Sequence, residues 1–344
     1  SMRVLAAIGL WSEMENDAQP IREIRVSDGP SRLFLHYDHR DLGEGPLGHI
    51  VENSVTRRAL AGQAGTTGLR ILDGRRVVAM TVGAASATLD LDDGGSVRAP
   101  LVVAADGRDS ALRGLARIDA TEWRYPQTGI VCTVAHQRPH CGIAQERFLA
   151  PGPFAILPMT GNRSSIVWTE RAALAPSLLA LGPAEFAAEL ARRFGDTLGS
   201  LAIEGRVYSH PLSLVHATRY VAPRLVLAGD AAHAIHPIAG QGLNMGLRDV
   251  AALAEVVVDA RRLGLDIGST AVLARYERWR RFDNVAMLAV TDGLNRLFSN
   301  DIAPLRIARD VGLAAVDRLP ALKRTFMRHA MGTIGELPRL MRGQ

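Results

Sequence analysis

The chain has 344 residues, 47% of them hydrophobic and 22% charged, which is the composition of a globular protein with a large core and excludes a disordered chain. A formal net charge of only +5 gives no sign of a nucleic-acid partner, and two cysteines exclude a disulfide framework and fit a reduced, cytoplasmic compartment. No apolar run of about 18 residues predicts a membrane span, and the short, soon acidic N-terminal stretch does not resemble a cleavable signal peptide.

The first third of the chain predicts helices and strands in alternation. A helix closes at Gly9, strands follow in IREIRVSDG, SRLFLHYD and GHIVEN, and Asn53 or Ser54 is expected to cap a helix over SVTRRALAGQA. The stretches LRILDGRRVVAMTV and SATLDLDDGGSVRA predict strands joined by Asp-Gly and Gly-Gly turns. PLVVAADGRDSALRGLA then predicts a buried strand, a glycine turn and a helix, and its continuous apolar run favours a parallel sheet.

From Trp123 the pattern becomes rich in strands, with TGIVCTVAHQ, QERFLAPGPFAILPM and SSIVWTER separated by Gly and Pro breaks. PAEFAAELARRFGD predicts an amphipathic helix, a buried strand ends at Ala228, and the remainder predicts helices. The whole predicts an α/β fold with an inserted mixed β-sheet. We expect three parts. A discontinuous first domain covers residues 1–20, 50–122 and 220–290, and a β-rich domain covers residues 21–49 and 123–219. A helical C-terminal region covers residues 291–344.

The stretch GDAAHAIHP spaces Asp230, His233 and His236 three residues apart, as ligands on a helix would be. Pro237 would interrupt such a helix, which argues against a metal site, and we expect no bound metal. A hydrolase-like Asp–His pair would need a nucleophile, and no G-x-S-x-G elbow is present. A plain structural loop remains an alternative. A cofactor cradle is the interpretation that the following residues favour.

Gly229 and Asp230 follow a buried strand, at the end where open α/β sheets bind ligands. Gly240, Gly242 and Gly246 then allow the backbone to approach a ligand closely. A helix begins near these glycines, and its amino terminus offers unpaired N–H groups to an anionic atom. Its apolar residues are expected to share one face, namely Leu243, Leu247, Val250, Ala254 and Val257.

Two motifs resemble those of the flavin-dependent aromatic hydroxylases: GDAAHAIHPIAGQGLNMGLRDVAAL is similar to their second FAD motif, and AADGRDSALRGLA to their Asp-Gly motif. The resemblance implies that Asp230 binds the flavin sugar and that the glycine-rich segment lies against the flavin ring. It implies a further FAD contact for Asn53, although a role as helix cap explains an asparagine at this position equally well. It also implies a phosphate contact for Arg113, although such an arginine is as often solvated or paired with an acidic residue. The implied cofactor-binding residues are Asn53, Asp106, Gly107, Arg113, Gly229, Asp230, Pro237, Gly240, Gln241, Gly242, Leu243 and Asn244.

Within that family, RYPQTGIVCTVAHQRPHCGIAQERFLAPGPFAILPM and the C-terminal stretch are similar to the ubiquinone-biosynthesis hydroxylases. The resemblance implies that FAD, with NAD(P)H and O₂ as co-substrates, hydroxylates a prenylated phenol through a C4a-hydroperoxyflavin. It identifies no catalytic base. The alternatives are a hydroxylase of small soluble phenols, a flavin-dependent reductase of prenyl groups, a non-catalytic partner in a biosynthetic complex, and an inert fragment unable to hold FAD.

In the family, a G-x-G-x-x-G lies at the first strand–helix turn, and we find no such strand–helix motif before residue 60. The resemblance therefore implies a three-layered, Rossmann-like FAD-binding domain that is truncated or divergent, with the β-rich substrate domain inserted into it. Residues 306–342 contain eight Lys or Arg and only three acidic residues, interleaved with Leu, Phe and Met. Residues 305–344 are therefore expected to contact the inner face of a membrane, or else to form a solvated basic helix face.

A further expectation concerns aromatic residues of the β-rich domain. They are expected either to line an apolar phenol pocket or, for most of them, to pack in the core, and they are Trp123, Tyr125, Phe148, Phe154 and Trp168.

Overall fold

A computed structural model of the chain describes residues 1–29, 34–43, 45–299 and 336–343, with isolated positions at 309, 312, 316–317, 319, 323–324 and 327. Most of the expected membrane-contacting segment, residues 305–344, lies outside the described residues. Within the described part, no helix has the length and hydrophobicity needed to cross a bilayer.

The helices include two long ones near the C-terminal end of the described chain. They are α1 (Met2–Ala7), α2 (Asn53–Thr66), α3 (Ala111–Leu115), α4 (Ala175–Leu179), α5 (Pro183–Phe194), α6 (Gly242–Arg262), α7 (Thr270–Phe298) and α8 (Arg339–Arg342). Short 3-10 turns cover Trp11–Glu13, Glu15–Asp17, His39–Asp41, Gly229–Ala231 and Ile238–Gly240.

In the part of the chain that the structure describes, the strands belong to four sheets. They are β1 (Gln19–Ile21), β2 (Glu23–Asp28), β3 (Phe34–Asp38), β4 (Gly48–Ile50), β5 (Val77–Val82), β6 (Ala87–Leu91), β7 (Ser96–Ala99), β8 (Val102–Ala104), β9 (Ala120–His136), β10 (Ile143–Leu149), β11 (Gly152–Met159), β12 (Arg163–Arg171), β13 (Leu201–Ala217), β14 (Val221–Ala222), β15 (Leu225–Leu227) and β16 (His233–Ala234).

The largest sheet has eight strands in the order β16-β13-β9-β12-β11-β10-β2-β3. Its pairs are antiparallel except β10 with β2, which are parallel, so the sheet is mixed as the sequence predicts. One face packs against α5, with Phe154, Trp168 and Phe186 among the buried residues of that core. The other face turns toward α7 and the segment at Ile238, where Phe148 and Phe298 meet.

A small sheet in the order β14-β15-β8 lies under the two long helices. Strands β15 and β8 are parallel, with Leu225 opposite Val102 and Leu227 opposite Ala104. The side chains of this sheet share a hydrophobic core with Val256 of α6 and Tyr276 of α7. Sheets covered by helices, together with the large mixed sheet, make an α/β fold, and the fold class predicted from the sequence is confirmed.

Two local predictions about helices are wrong. Asn53 does not cap α2: the cap position is Glu52, without a side-chain hydrogen bond, and Asn53 is the first helical residue. The buried face of α6 is not the apolar stripe that we expected, because Leu243 is 65% exposed and Val250 50% exposed. The helix instead buries Met245, Asp249, Ala251, Ala252, Leu253, Val256 and Ala260.

Two turn predictions also need correction. The Asp73-Gly74 turn joins no pair of strands, because the structure has no strand between α2 and β5; the Gly94-Gly95 turn does connect β6 to β7. The glycines at 43, 45 and 48 do have the spacing G-x-G-x-x-G. They follow a 3-10 turn, however, and Gly48 is the first residue of strand β4, so these glycines do not open a helix that binds pyrophosphate.

Candidate functional site

The two sequence motifs meet at one edge of the small sheet. Because β8 and β15 are parallel neighbours, their carboxyl ends lie side by side, and the backbone N–H of Ala228 donates to the carbonyl of Ala104 at 3.0 Å. Asp106 and Gly107 follow one strand, and Gly229 and Asp230 follow the other. This edge is where open α/β sheets bind nucleotides.

Asp106 and Arg113 hold these turns in shape. The Asp106 carboxylate accepts hydrogen bonds from the Ser110 hydroxyl at 2.5 Å and from the backbone N–H of Leu112 at 3.1 Å, so it supports the first turn of α3, whose N-cap is Ser110. Arg113 is buried, and its guanidinium donates to the carbonyl of Ala231 at 3.0 Å. The Arg113 side chain thus ties the Asp106 turn to the Asp230 turn.

Two glycines let helix α6 approach the Asp230 turn. Gly229 has a φ of +60°, in the left-handed region that glycine adopts without strain. A Cβ placed on Gly246 would lie 3.4 Å from the Cα of Gly229. The Gly246 position therefore lets the backbone of α6 lie directly beside the turn that carries Asp230.

Asp249, which the sequence analysis did not identify, anchors the same turn from below. Its side chain is fully buried, and its carboxylate accepts hydrogen bonds from the backbone N–H of Gly229 at 3.0 Å and from Arg280 Nε at 2.8 Å. His233 Nε2 lies 2.5 Å from the carboxylate, and Asn284 Nδ2 lies 3.3 Å away. Burial alone would raise the pKa of Asp249, but the His233 hydrogen bond and the Arg280 charge hold it below its usual range.

The surface above this anchor is open. Asp230 is exposed, and its carboxylate has no hydrogen bond or ion pair among the residues that the structure describes. Gly240 is exposed as well, with Gln241 and Gly242 half-buried beside it. Helix α6 begins at Gly242 without a side-chain cap, so its first N–H groups are available to an acceptor.

This open surface suits FAD in the chemistry of its groups. A free carboxylate such as Asp230 accepts hydrogen bonds from sugar hydroxyls, and helix N–H groups with the positive end of the dipole stabilise an oxygen that becomes negative. Leu243 is exposed at the start of the helix. The Asn244 amide donates to Gln241 Oε1 at 3.4 Å, and the Ser1 hydroxyl donates to its carbonyl oxygen, so the Asn244 side chain is engaged within the protein.

The segment around Pro237, itself exposed, is held by a buried polar network. His236 is fully buried, its ring packs edge-on against Tyr125 at 5.1 Å, and its Nε2 lies 3.3 Å from Gln127 Oε1. Burial lowers the pKa of His236 to about 4, so the ring is neutral near pH 7. Its Nδ1 accepts the N–H of Ile238, which fixes the turn after Pro237.

The two histidines of GDAAHAIHP therefore have separate partners, since His233 contacts Asp249 and His236 contacts Gln127. Among the described residues, the group of side chains close enough to share a metal ion is elsewhere, at Glu23, His36 and Asp38. Both of its carboxylates are already in ion pairs with arginines, so the group needs no ion.

The remaining sequence candidates are dispersed. Asn53 is exposed at the start of α2, and no hydrogen bond among the described residues joins it to either turn. Phe154 and Trp168 pack in the core beneath α5 rather than near the turns. Phe148 lies instead beside the segment that follows Pro237, because it packs in the same cluster as Ile238. Trp123 is half-exposed under the Arg296 guanidinium, at 4.5 Å.

Known proteins are similar to this chain in sequence. The family described as "FAD binding domain" matches residues 1–286. The chain is 54% identical to the ubiquinone hydroxylase UbiL of Rhodospirillum rubrum, over 99% of this chain and 80% of that protein. It is 35% identical to the 3-demethoxyubiquinol 3-hydroxylase of Escherichia coli, over 96% of this chain and 85% of that protein.

The fold has solved counterparts. The crystal structure of p-nitrophenol 4-monooxygenase PnpA from Pseudomonas putida superimposes with a TM-score of 0.79 at 19% identity, and covers 96% of this chain and 86% of that chain. At that identity the likeness concerns the fold.

Proposed function

The chain belongs to the FAD binding domain family, and from that premise we propose that it is a flavin-dependent monooxygenase that hydroxylates a prenylated phenol in ubiquinone biosynthesis. The observation that carries the proposal is the meeting of the Asp106 and Asp230 turns at one sheet edge, where the Asp230 carboxylate has no partner among the described residues. The relatives named as ubiquinone hydroxylases support the substrate class.

The residues that would hold FAD are those of the open surface. Asp230 would accept a hydroxyl of the flavin sugar chain, and the N–H groups at Gly242 and Leu243 would donate to a carbonyl of the ring. Pro237 and Ile238 would support the ring, because His236 and Gln127 fix that turn. When bound, FAD supplies the redox chemistry by which NAD(P)H reduces O₂ and one oxygen atom reaches the phenol ring.

The protein provides the surroundings of that reaction. The face of the large sheet opposite α5 carries apolar side chains that are only half-buried, including Ile24, Val26, Leu157 and Val167. An apolar wall of this kind binds an aromatic ring and excludes water from the reacting atoms. Its position beside Ile238 supports a phenol ring bound next to the proposed flavin site.

The proposed reaction balances as phenol plus O₂ plus NAD(P)H plus a proton, giving the hydroxylated phenol, water and NAD(P)⁺. The test is to purify the protein with FAD and supply a prenylated phenol and NAD(P)H under ¹⁸O₂. We expect one ¹⁸O atom in the product by mass spectrometry. Turnover only with short, water-soluble phenols would show that the substrate is not a prenylated phenol. A protein that holds no flavin would contradict the proposal.

We also propose that the protein acts at the inner face of a membrane, with contact through residues 305–344. The support is the sequence alone: basic residues interleaved with Leu, Phe and Met suit an anionic lipid surface, where a prenyl chain also resides. Replacing Arg324 and Arg328 by Glu leaves α8 and the Arg309–Asp28 ion pair in place. The double variant should co-sediment less with anionic vesicles, and its co-sedimentation with neutral vesicles should equal that of the wild type. Unchanged co-sedimentation would contradict membrane contact, and membership in a biosynthetic complex would then be tested by co-purification.

A further inference from the structure

A carboxylate without a partner among the described residues lies on the sheet face that is turned toward the proposed flavin site. Glu146 is in the middle of β10 and is paired in register with Val26 of β2 and Ala155 of β11. Side chains alternate along a strand, so Glu146 shares its face with Phe148. Phe148 and Val26 both pack in the cluster that contains Ile238, next to the turn that follows Pro237. The register thus places Glu146 beside the position proposed for the phenol ring.

The Glu146 side chain is recessed but reachable. It is half-buried, whereas Ala155 and Phe148 beside it are buried, and it has no hydrogen bond or ion pair among the described residues. Burial raises the pKa of Glu146 to about 7. Leaving a recessed carboxylate unpaired costs folding free energy, and such groups are found preferentially at functional sites.

The ionisable groups around Glu146 are engaged elsewhere or neutral. Asp28, on the neighbouring strand β2, pairs with Arg309 at 2.7 Å. Burial raises the pKa of Tyr37 on β3 to about 12, and β11 contains no ionisable residue. Across the gap, Asp292 of α7 accepts a hydrogen bond from a tyrosine, and His236 is neutral. Among these described groups, Glu146 is the one whose pKa lies near neutral pH.

Resting on the hydroxylase function proposed above, we propose that Glu146 is a catalytic residue whose carboxylate accepts a hydrogen bond from the phenolic hydroxyl of the substrate and takes its proton as the ring is oxygenated. The O–H bond breaks, its electron pair remains on the phenolic oxygen, and the ring becomes electron-rich. A C–O bond then forms to one oxygen atom derived from O₂ as the O–O bond breaks, and the electron pair of the O–O bond goes to the second oxygen atom. The C–H bond at that carbon breaks as aromaticity returns, its proton passes to the second oxygen atom, which leaves as water, and Glu146 returns its proton to the phenolic oxygen.

The variant E146Q keeps the shape of the side chain and removes its basicity. We expect FAD content to be unchanged and kcat for a prenylated phenol to fall roughly a hundredfold, the range of a lost general base. In the wild type, kcat/KM should rise with pH through an ionisation near 7, and E146Q should lack that step. A fluorinated, more acidic phenol should raise kcat of E146Q by a larger factor than it raises kcat of the wild type.

The matched control is E170Q, because Glu170 is a buried carboxylate of the same sheet that instead pairs with Arg193 beneath α5. E170Q should keep the wild-type pH profile. Wild-type rates and pH profile in E146Q would overturn the role of Glu146 while the hydroxylase function stands. A wild type that binds FAD and hydroxylates no phenol would overturn both. If E146Q does not fold, E146D should shift the ionisation in the pH profile, and an unshifted profile would overturn the proposal.

Discussion

Replacing Asp249 by Asn should damage both stability and cofactor binding, because one buried carboxylate serves both. In the wild type it neutralises Arg280, which is 1% exposed, and it accepts the N–H of Gly229 in the turn that carries Asp230. Removing one partner of a buried ion pair costs about 3–5 kcal/mol. Arg280 keeps a second contact to Asp283 at 2.7 Å, so we expect the lower end of that range, about 3 kcal/mol.

Urea denaturation at neutral pH gives the change in the free energy of unfolding, and titration of the folded variant with FAD gives its affinity. D249N should lose about 3 kcal/mol of stability and bind FAD at least about tenfold more weakly. D283N is the control, since Asp283 pairs with the same arginine but is partly exposed and makes no contact with Gly229; its cost should stay within about 1 kcal/mol. Equal effects in the two variants would refute the assignment of Asp249 as the anchor of the turn.

Two further predictions concern the turns. G246V should weaken FAD binding strongly, because the valine side chain would push against Gly229. G293V is the control and should not weaken FAD binding, because Gly293 is an exposed helical glycine whose Cβ would have nothing within 4 Å. Equal FAD affinities of the two variants in titrations would be inconsistent with the close approach of α6 to Gly229. The pKa of His236 is lowered from 6.5 to about 4 by burial, so the unfolded chain binds a proton that the native chain does not between those values. The free energy of unfolding should therefore fall by up to about 3 kcal/mol as the pH drops from 6.5 to 4. In H236Q the curve of unfolding free energy against pH should be flatter in this range. A slope equal to that of the wild type would show that His236 is not neutral in the folded protein.

The meeting of the two motifs could be predicted from the sequence because it follows from a general rule. Two short apolar runs, each followed by Gly and Asp, indicate parallel strands, and parallel strands end at the same edge. The resemblance of both motifs to one family pointed to the same ligand. What the structure adds is the noncovalent contacts of each turn, among them the hydrogen bond by which Arg113 ties one turn to the other.

Asp249 and Glu146 could not be found in the same way. The apolar periodicity of α6 favoured Leu243 and Val250, but the buried face carries alanines and a charged residue, whose burial depends on Arg280 of another helix. Hydrophobic patterns do not reveal such a pair, because a buried ion pair is specified by tertiary contacts. The position of Glu146 depends on the parallel pairing of β10 with β2, two segments far apart in the chain, and local sequence carries no signal for that register.

The central claim is that the Asp106 and Asp230 turns hold one FAD molecule with Asp230 on its sugar, and titration of the flavin-free protein with FAD tests it most directly. The wild type should bind, and D230A should bind at least about tenfold more weakly, since a hydrogen bond to a charged group contributes about 1.5–3 kcal/mol. D109A, an exposed aspartate beside the other turn, should match the wild type. If D230A binds FAD as tightly as the wild type and D109A, the flavin sugar does not lie on Asp230, and the site described above is wrong.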